Sequence, residues 1–185
     1  MTNRTDTPRL RDRVFPSRVA LAIALVVCVV VPIVLVSLQI HENPKFSPID
    51  EGAHFDYVDR VAEGSIPRQG QRLLRTTMRE LVCTGTDLPG LEVPPCDAAR
   101  LPYDRFPGGA HQYEAQQPPT YYAITVPLRW VTENVLQVDN KLDATRATGI
   151  FWLVAGLLLL WAAGRPWMST WCRSARCCSC SQSHR

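Results

Sequence analysis

The stretch VALAIALVVCVVVPIVLVSLQI, residues 19–40, decides the fold class of this chain of 185 residues. It holds 22 residues without a charge, and a helix rising about 1.5 Å per residue over that length crosses a hydrocarbon core about 30 Å thick. A second uncharged stretch, ATGIFWLVAGLLLLWAAG at residues 147–164, is 18 residues long. Together they predict an all-α membrane protein with two transmembrane helices.

The distribution of charge predicts the orientation of these spans. The leader, residues 1–18, carries five arginines against two aspartates, and the tail, residues 165–185, carries four arginines and no acid. The intervening residues 41–146 hold 11 basic and 15 acidic side chains. Basic residues beside a span favour the cytoplasmic side. We therefore predict a multi-pass protein of the cell membrane, with both termini cytoplasmic and residues 41–146 forming a long extracytoplasmic loop.

The loop is too long for a bare connector, and its sequence predicts short interfacial helices. One amphipathic helix is predicted near residues 48–63, where acidic residues stand in the first turn and Gly64 follows the end. Another is predicted near residues 118–136, after a Pro-Pro pair, with its aromatic residues at headgroup level. Arg129 and Pro127 interrupt this second pattern, which argues against a full span. A weaker helical pattern covers residues 67–82.

The cysteines fall into two groups. Cys83 and Cys96 face an oxidising compartment in the predicted topology, which favours a disulfide, with two free thiols as the alternative. The tail is rich in arginine and holds four further cysteines: Cys172, Cys177, Cys178 and Cys180. Three interpretations stay open for it: palmitoylation beside a membrane helix, metal binding, or a shifted reading frame in GC-rich coding DNA.

Common nucleotide-binding, zinc-protease and hydrolase motifs are absent from the sequence. The remaining candidate is the pair Asp50 and Glu51 with His54 close behind, just outside the first span. Adjacent carboxylates can bind a divalent cation, or one can act as a general base on an acceptor hydroxyl. The structural alternative is ordinary, because acidic residues in a first helical turn also complement the helix dipole.

Two motifs, P-x-D-E-x-x-H-F after the first span and Q-P-P-x-Y-Y before the second, resemble the beginning of the GT-C superfamily. These proteins are polytopic membrane glycosyltransferases that use lipid-phosphate-linked sugars, and the form here is most similar to a bacterial subgroup near the protein-mannosyltransferase and aminoarabinose-transferase-like enzymes. The matching residues are Pro48, Asp50, Glu51, His54, Phe55, Gln117, Pro118, Pro119, Tyr121 and Tyr122.

The resemblance implies catalytic or cation-binding roles for Asp50 and Glu51. It implies substrate-binding roles for His54, Gln117 and Tyr121, with a polyprenyl-phosphate sugar and membrane lipid as partners. Family members have many more spans than two, so the resemblance predicts an N-terminal fragment that is inactive alone.

Two further hypotheses stand beside the glycosyltransferase. One is a small two-span membrane protein whose outer loop binds a partner or has a structural role. The other is a palmitoylated or thiol-sensing adaptor acting through the cysteine tail. None of the three hypotheses involves nucleic acid.

Overall fold

The structure, a computed structural model, describes residues 18–86 and 92–180, apart from the side chains of residues 20 and 165–180. Within these described residues, five α-helices form: α1 (Arg18–Glu42), α2 (Glu51–Ala62), α3 (Arg75–Thr84), α4 (Pro119–Asn134) and α5 (Lys141–Cys180). Short 3-10 helices occur at Tyr103–Arg105, Pro107–Ala110 and Tyr113–Gln116. No β-strand forms among the described residues, so the predicted helical class is confirmed for this part of the chain. The hypotheses about the leader and the tail cysteines fall outside the described side chains.

Two helices contain stretches long and apolar enough to cross a membrane, Leu21–Glu42 in α1 and Lys141–Gly164 in α5. The coarse prediction of two candidate spans is therefore confirmed. Helix α5 begins six residues before the predicted span at residues 147–164. Its start is set by Asn140, whose side-chain oxygen accepts hydrogen bonds from the backbone N–H groups of Leu142 at 2.8 Å and Asp143 at 3.3 Å. Asparagine is a favoured N-cap residue because it satisfies such free donors.

The chain divides into two compact units. One, which we call the span unit, contains the described residues 18–33 and 152–180, and apolar side chains such as Val26, Leu159 and Leu160 are exposed in it. The other, which we call the loop unit, comprises Val34–Phe151. The loop unit thus includes the last residues of α1 and the first residues of α5, together with all of α2, α3 and α4.

The loop unit has its own hydrophobic core. Its main cluster consists of buried side chains from the segment after α1, from α2 and α3, from the loop before α4 and from the start of α5: Phe46, Phe55, Leu73, Met78, Leu81, Val82, Phe106, Ala110 and Leu142. A smaller cluster joins α2 to α4 through Tyr57, Val58 and Tyr122. Both clusters contain α2 residues, so α2 is the central helix of the unit.

Helix α2 also buries charge. Asp56 is fully buried, and its carboxylate accepts hydrogen bonds from Arg60 in the next turn at 2.7 Å and from the Leu74 backbone at 2.5 Å. Thr77 of α3 donates to it at 3.1 Å, and the side-chain amide of Gln112 donates at 2.9 Å. A buried carboxylate is tolerated only when donors of this kind replace its water.

This burial corrects the expected position of the first loop helix. The helix predicted near residues 48–63 exists as α2, but it is buried at Ala53 and along Phe55–Arg60 instead of lying on a surface with one apolar face. The reason is that Asp56, Asp59 and Arg60, which made the pattern look amphipathic, are paired inside the unit. The weaker helix predicted at residues 67–82 forms later, as α3, because the Leu74 N–H at its start is held by Asp56.

Cys83 and Cys96 form a disulfide with a sequence separation of 13 residues. It connects the last turn of α3 to the loop that follows. In chain-entropy terms, a cross-link over a loop of this size contributes about 3 kcal/mol by restricting the unfolded chain.

The Asp56 network predicts a large stability effect. Replacing Asp56 by Ala leaves the buried Arg60 guanidinium without its ion-pair partner, so we expect the free energy of unfolding to fall by about 3–5 kcal/mol. Urea titration of the full chain in lipid nanodiscs, followed by near-ultraviolet circular dichroism, measures this. The control is Asp104→Ala at an exposed position, where a change of at most about 0.5 kcal/mol is expected. Equal losses in the two variants would contradict the central role of Asp56.

Candidate active site

A cleft of about 420 Å³ lies within the loop unit, between α2, α4 and the first turns of α5. Its α2 side consists of Asp50, Glu51, His54, Phe55 and Val58, and Ser47 lies just before them. Its other sides consist of Tyr121 and Thr125 from α4, and of Leu142, Thr145, Arg146, Thr148 and Gly149 from α5. The lining mixes apolar side chains with hydroxyl and charged groups, as ligand sites commonly do.

Glu51 forms an ion pair with Arg146. Its two carboxylate oxygens accept hydrogen bonds from Arg146 Nε at 2.6 Å and Arg146 Nη2 at 2.7 Å, and the Ser47 N–H donates to it at 2.7 Å. The same guanidinium donates to the backbone carbonyls of Asn43 and Lys45. Arg146 therefore connects the start of α2 to α5 and to the segment after α1, and Glu51 is held in place by this pair.

Asp50 is in a different environment although it is the next residue. Its side chain is 51% exposed, and His54 Nε2 lies 3.7 Å away, beyond hydrogen-bond distance. Asp50 occupies the N-cap position of α2 but its side chain does not cap the helix. Of the two adjacent carboxylates, Asp50 is thus the one whose oxygens are open to the cleft.

His54 is oriented by α4 and by the 3-10 helix Tyr113–Gln116. Its Nδ1 lies 2.7 Å from the hydroxyl of Tyr122, while its Nε2 lies 3.7 Å from Asp50 and 4.0 Å from Glu114. Burial, followed by repulsion from Glu114, raises the pKa of Tyr122, so its hydroxyl keeps its proton. We infer that Tyr122 donates to Nδ1, which places the ring proton on Nε2, facing the two carboxylates.

Tyr122 is itself held firmly. Its ring stacks on that of Tyr57, with centroids 3.6 Å apart, and both rings are almost completely buried. The Tyr57 hydroxyl donates to the backbone carbonyl of Gln117 at 3.0 Å. This stack joins α2 to α4 beneath His54 and fixes one wall of the cleft.

The structure brings together four of the five residues proposed from the sequence. Asp50, Glu51, His54 and Tyr121 line the cleft. Gln117 does not: it is exposed, and its contribution is the backbone carbonyl that accepts from Tyr57.

Sequence reasoning missed three side chains that shape the site. Arg146 and Glu114 gave no local signal, because each acts on a residue more than 50 positions away. Tyr122 was named only as part of the resemblance, without a role.

The predicted divalent-cation site at Asp50 and Glu51 does not fit this geometry. Both oxygens of Glu51 already accept hydrogen bonds from Arg146. Among the residues that the structure describes, no group of three or more histidine, cysteine, aspartate or glutamate side chains is placed to hold a metal ion. Of this pair, Asp50 alone therefore has open carboxylate oxygens.

Comparisons of the chain with protein-family models, with curated proteins and with solved structures yield no match. The resemblance to GT-C proteins therefore remains a prediction based on the two motifs. The functional argument rests on the geometry of the cleft.

The negative charge around the cleft predicts a pH effect at Tyr113, whose hydroxyl donates to the Ile49 carbonyl. Burial, with added repulsion from Asp50 and Glu114, raises the pKa of Tyr113 to about 12. The unfolded chain releases this proton near the ordinary value of 10.0, whereas the folded chain keeps it until about 12. The free energy of unfolding should therefore fall as pH rises through this window.

Thermal unfolding of the full chain in nanodiscs between pH 9 and 12 tests this expectation. Tyr113→Phe should show a smaller decrease in Tm across the window than wild type, and Tyr103→Phe, at an exposed tyrosine, should follow wild type. A Tyr113→Phe protein whose Tm falls with the wild-type slope would contradict the assignment.

Proposed function

We propose that the loop unit carries the acceptor-activating site of a membrane glycosyltransferase of the GT-C type, with Asp50 as the general base. The observation that carries this proposal is the contrast between two adjacent carboxylates. Arg146 binds both oxygens of Glu51, whereas Asp50 is exposed at the cleft and its side chain accepts no hydrogen bond from the residues that the structure describes. An open carboxylate beside a cleft of ligand size is what a general base requires.

The proposed reaction transfers a sugar from a polyprenyl phosphate to a hydroxyl group. The oxygen of the acceptor hydroxyl attacks the anomeric carbon of the sugar, and Asp50 takes the proton of that hydroxyl as the attack proceeds. The new carbon–oxygen bond forms while the bond from the anomeric carbon to the phosphate oxygen breaks. The polyprenyl phosphate leaves with that electron pair, so the step needs no further reactant.

His54 and Tyr121 have supporting roles in this proposal. His54 Nε2 faces the carboxylates of Asp50 at 3.7 Å and Glu114 at 4.0 Å, which gives His54 a positioning role at the edge of the cleft. Tyr121 lines the cleft with an exposed aromatic face, a surface on which the apolar side of a sugar ring can pack. Thr125, Thr145 and Thr148 add hydroxyl groups to the lining, which suits a hydroxyl-bearing acceptor.

A sugar-transfer assay compares Asp50→Asn with Asp104→Asn, the control at an exposed position. Because the resemblance predicts that this chain is inactive alone, each substitution is made in the chromosomal gene of the native host, which supplies any further spans. Membranes of each strain are incubated with radiolabelled polyprenyl-phosphate mannose and octyl mannoside, and labelled product is extracted and counted. We expect Asp50→Asn to lower the transfer rate by about 10²–10⁴-fold, the usual contribution of a general base, and Asp104→Asn to leave it unchanged.

Two outcomes would overturn the proposal. Transfer that is equal in Asp50→Asn and wild type excludes Asp50 as the base. Wild-type membranes that transfer no more label than membranes without the protein would favour the alternative of a two-span protein with a binding loop. The compact, disulfide-linked loop unit with its own core is consistent with that alternative.

The proposed donor requires the loop unit to lie outside the cytoplasm, so we propose that α1 and α5 span the cell membrane with both termini cytoplasmic. The arginines of the leader and of the tail support this orientation. Reporter fusions in a bacterial host test it: green fluorescent protein at the C-terminus should fluoresce, and alkaline phosphatase at the same site should be inactive. Active phosphatase at the C-terminus would place that terminus outside the cytoplasm and contradict the proposed orientation.

A further inference from the structure

Half of the circumference of α4 carries no charged side chain. At 100° per residue, the buried positions Tyr122, Thr125, Arg129 and Thr132 share one side of the helix. The opposite side consists of exposed or half-exposed residues: Thr120, Tyr121, Ala123, Ile124, Pro127, Leu128, Trp130, Val131 and Asn134. A helix side that faces water normally carries charged residues, yet this side has none in a chain of which 20% is charged.

The charge-free side exists because Arg129 is turned inward. The residue is 6% exposed, and its Nη1 donates to Asp59 at 2.7 Å. Lys141 at the start of α5 donates to the other oxygen of Asp59 at 3.0 Å. The sequence pattern of this helix seemed interrupted by Arg129, but the buried pair with Asp59 removes that charge from the outer side.

We propose that this outer side of α4 is seated in the outer leaflet of the lipid bilayer. Tyr121, Ile124 and Trp130 are 48%, 45% and 59% exposed, and tyrosine and tryptophan are the residues that concentrate at membrane interfaces. The inference rests on the proposed membrane insertion of α1 and α5. It develops the interfacial helix predicted near residues 118–136 by assigning a defined side of α4, the side opposite its buried residues, to the lipid.

Continuity with the spans supports lipid as the occupant. Only residues 135–140 separate the end of α4 from the start of α5, and the outer ends of both candidate spans belong to the same compact unit as α4. The connecting segment begins with two further exposed apolar residues, Val135 at 61% and Leu136 at 54%. The exposed apolar surface of α4 therefore extends as far as Leu136, five residues before α5 begins. Interfacial helices bury such a face about 5–10 Å into the headgroup and acyl boundary.

Spin-label accessibility in nanodiscs tests the seating. In a full-length background with Ser in place of Cys28, Cys172, Cys177, Cys178 and Cys180, the disulfide is kept and single cysteines are introduced by Ile124→Cys and Trp130→Cys. Tyr103→Cys, at a side chain that is 49% exposed elsewhere in the loop unit, is the matched control. Leu159→Cys in α5 reports whether the span itself lies in lipid.

Labels at positions 124 and 130 should be relaxed more by oxygen than by the aqueous nickel complex, at depths of about 5–10 Å. The label at position 103 should show the reverse. If the labels at positions 124 and 130 show the same accessibilities as the label at position 103, while the label at position 159 is in lipid, the proposed contact of α4 with lipid is wrong. The proposed membrane insertion of α5 is then retained. If position 159 is also aqueous, the proposed membrane insertion fails with it. Labels at 124 and 130 that neither reagent reaches would show that a protein surface covers α4, which likewise overturns the proposal.

Discussion

The buried carboxylate of Asp56 is the constraint on which the loop unit depends. It has no exposed surface, and a carboxylate without water is stable only if protein donors surround it. Those donors come from Arg60 in α2, from the backbone at Leu74, from Thr77 in α3 and from Gln112 before α4. Because they are spread over more than 50 residues, the charge is satisfied only when the segments around α2 have all assembled.

The other acidic residues of α2 extend the same arrangement to α4 and α5. Asp59 pairs with Arg129 in α4 and Lys141 in α5, and Glu51 pairs with Arg146 in α5. Each acid of α2 therefore joins the helix to a different part of the unit. The pair at Glu51 also distinguishes two adjacent carboxylates of the cleft, because Arg146 binds both oxygens of Glu51 while Asp50 is exposed.

The sequence predicted those features that local patterns encode. Uncharged length revealed both candidate spans, and helix signals located α2 and α4 to within a few residues. Asp50 and His54 were found together because they lie one helical turn apart. Partners distant in the sequence could not be found in this way: the pairs of Glu51 with Arg146 and of His54 with Glu114 span 95 and 60 residues, and no periodicity relates their members.

The same limit applies to the charged residues within α2 and α4. The pattern of α2 could not show whether its charges face water or partners, and burial of Asp56 and Asp59 made it a central helix. In α4, the sequence likewise could not show whether Arg129 faces water or a partner. Its inward pairing leaves an outer side without charge, which sequence periodicity alone had treated as interrupted.

Helix α4 consequently connects the candidate site to the proposed lipid surface. Its inner side holds Tyr122, which orients His54, and its outer side holds Ile124 and Trp130. Tyr121 lies at the boundary, because it both lines the cleft and is exposed. With α4 seated in the outer leaflet, the cleft would lie at headgroup level, and Asp50 would meet a hydroxyl group presented at the membrane surface. A donor whose sugar is attached to a membrane lipid would then approach the base along the bilayer, without leaving it.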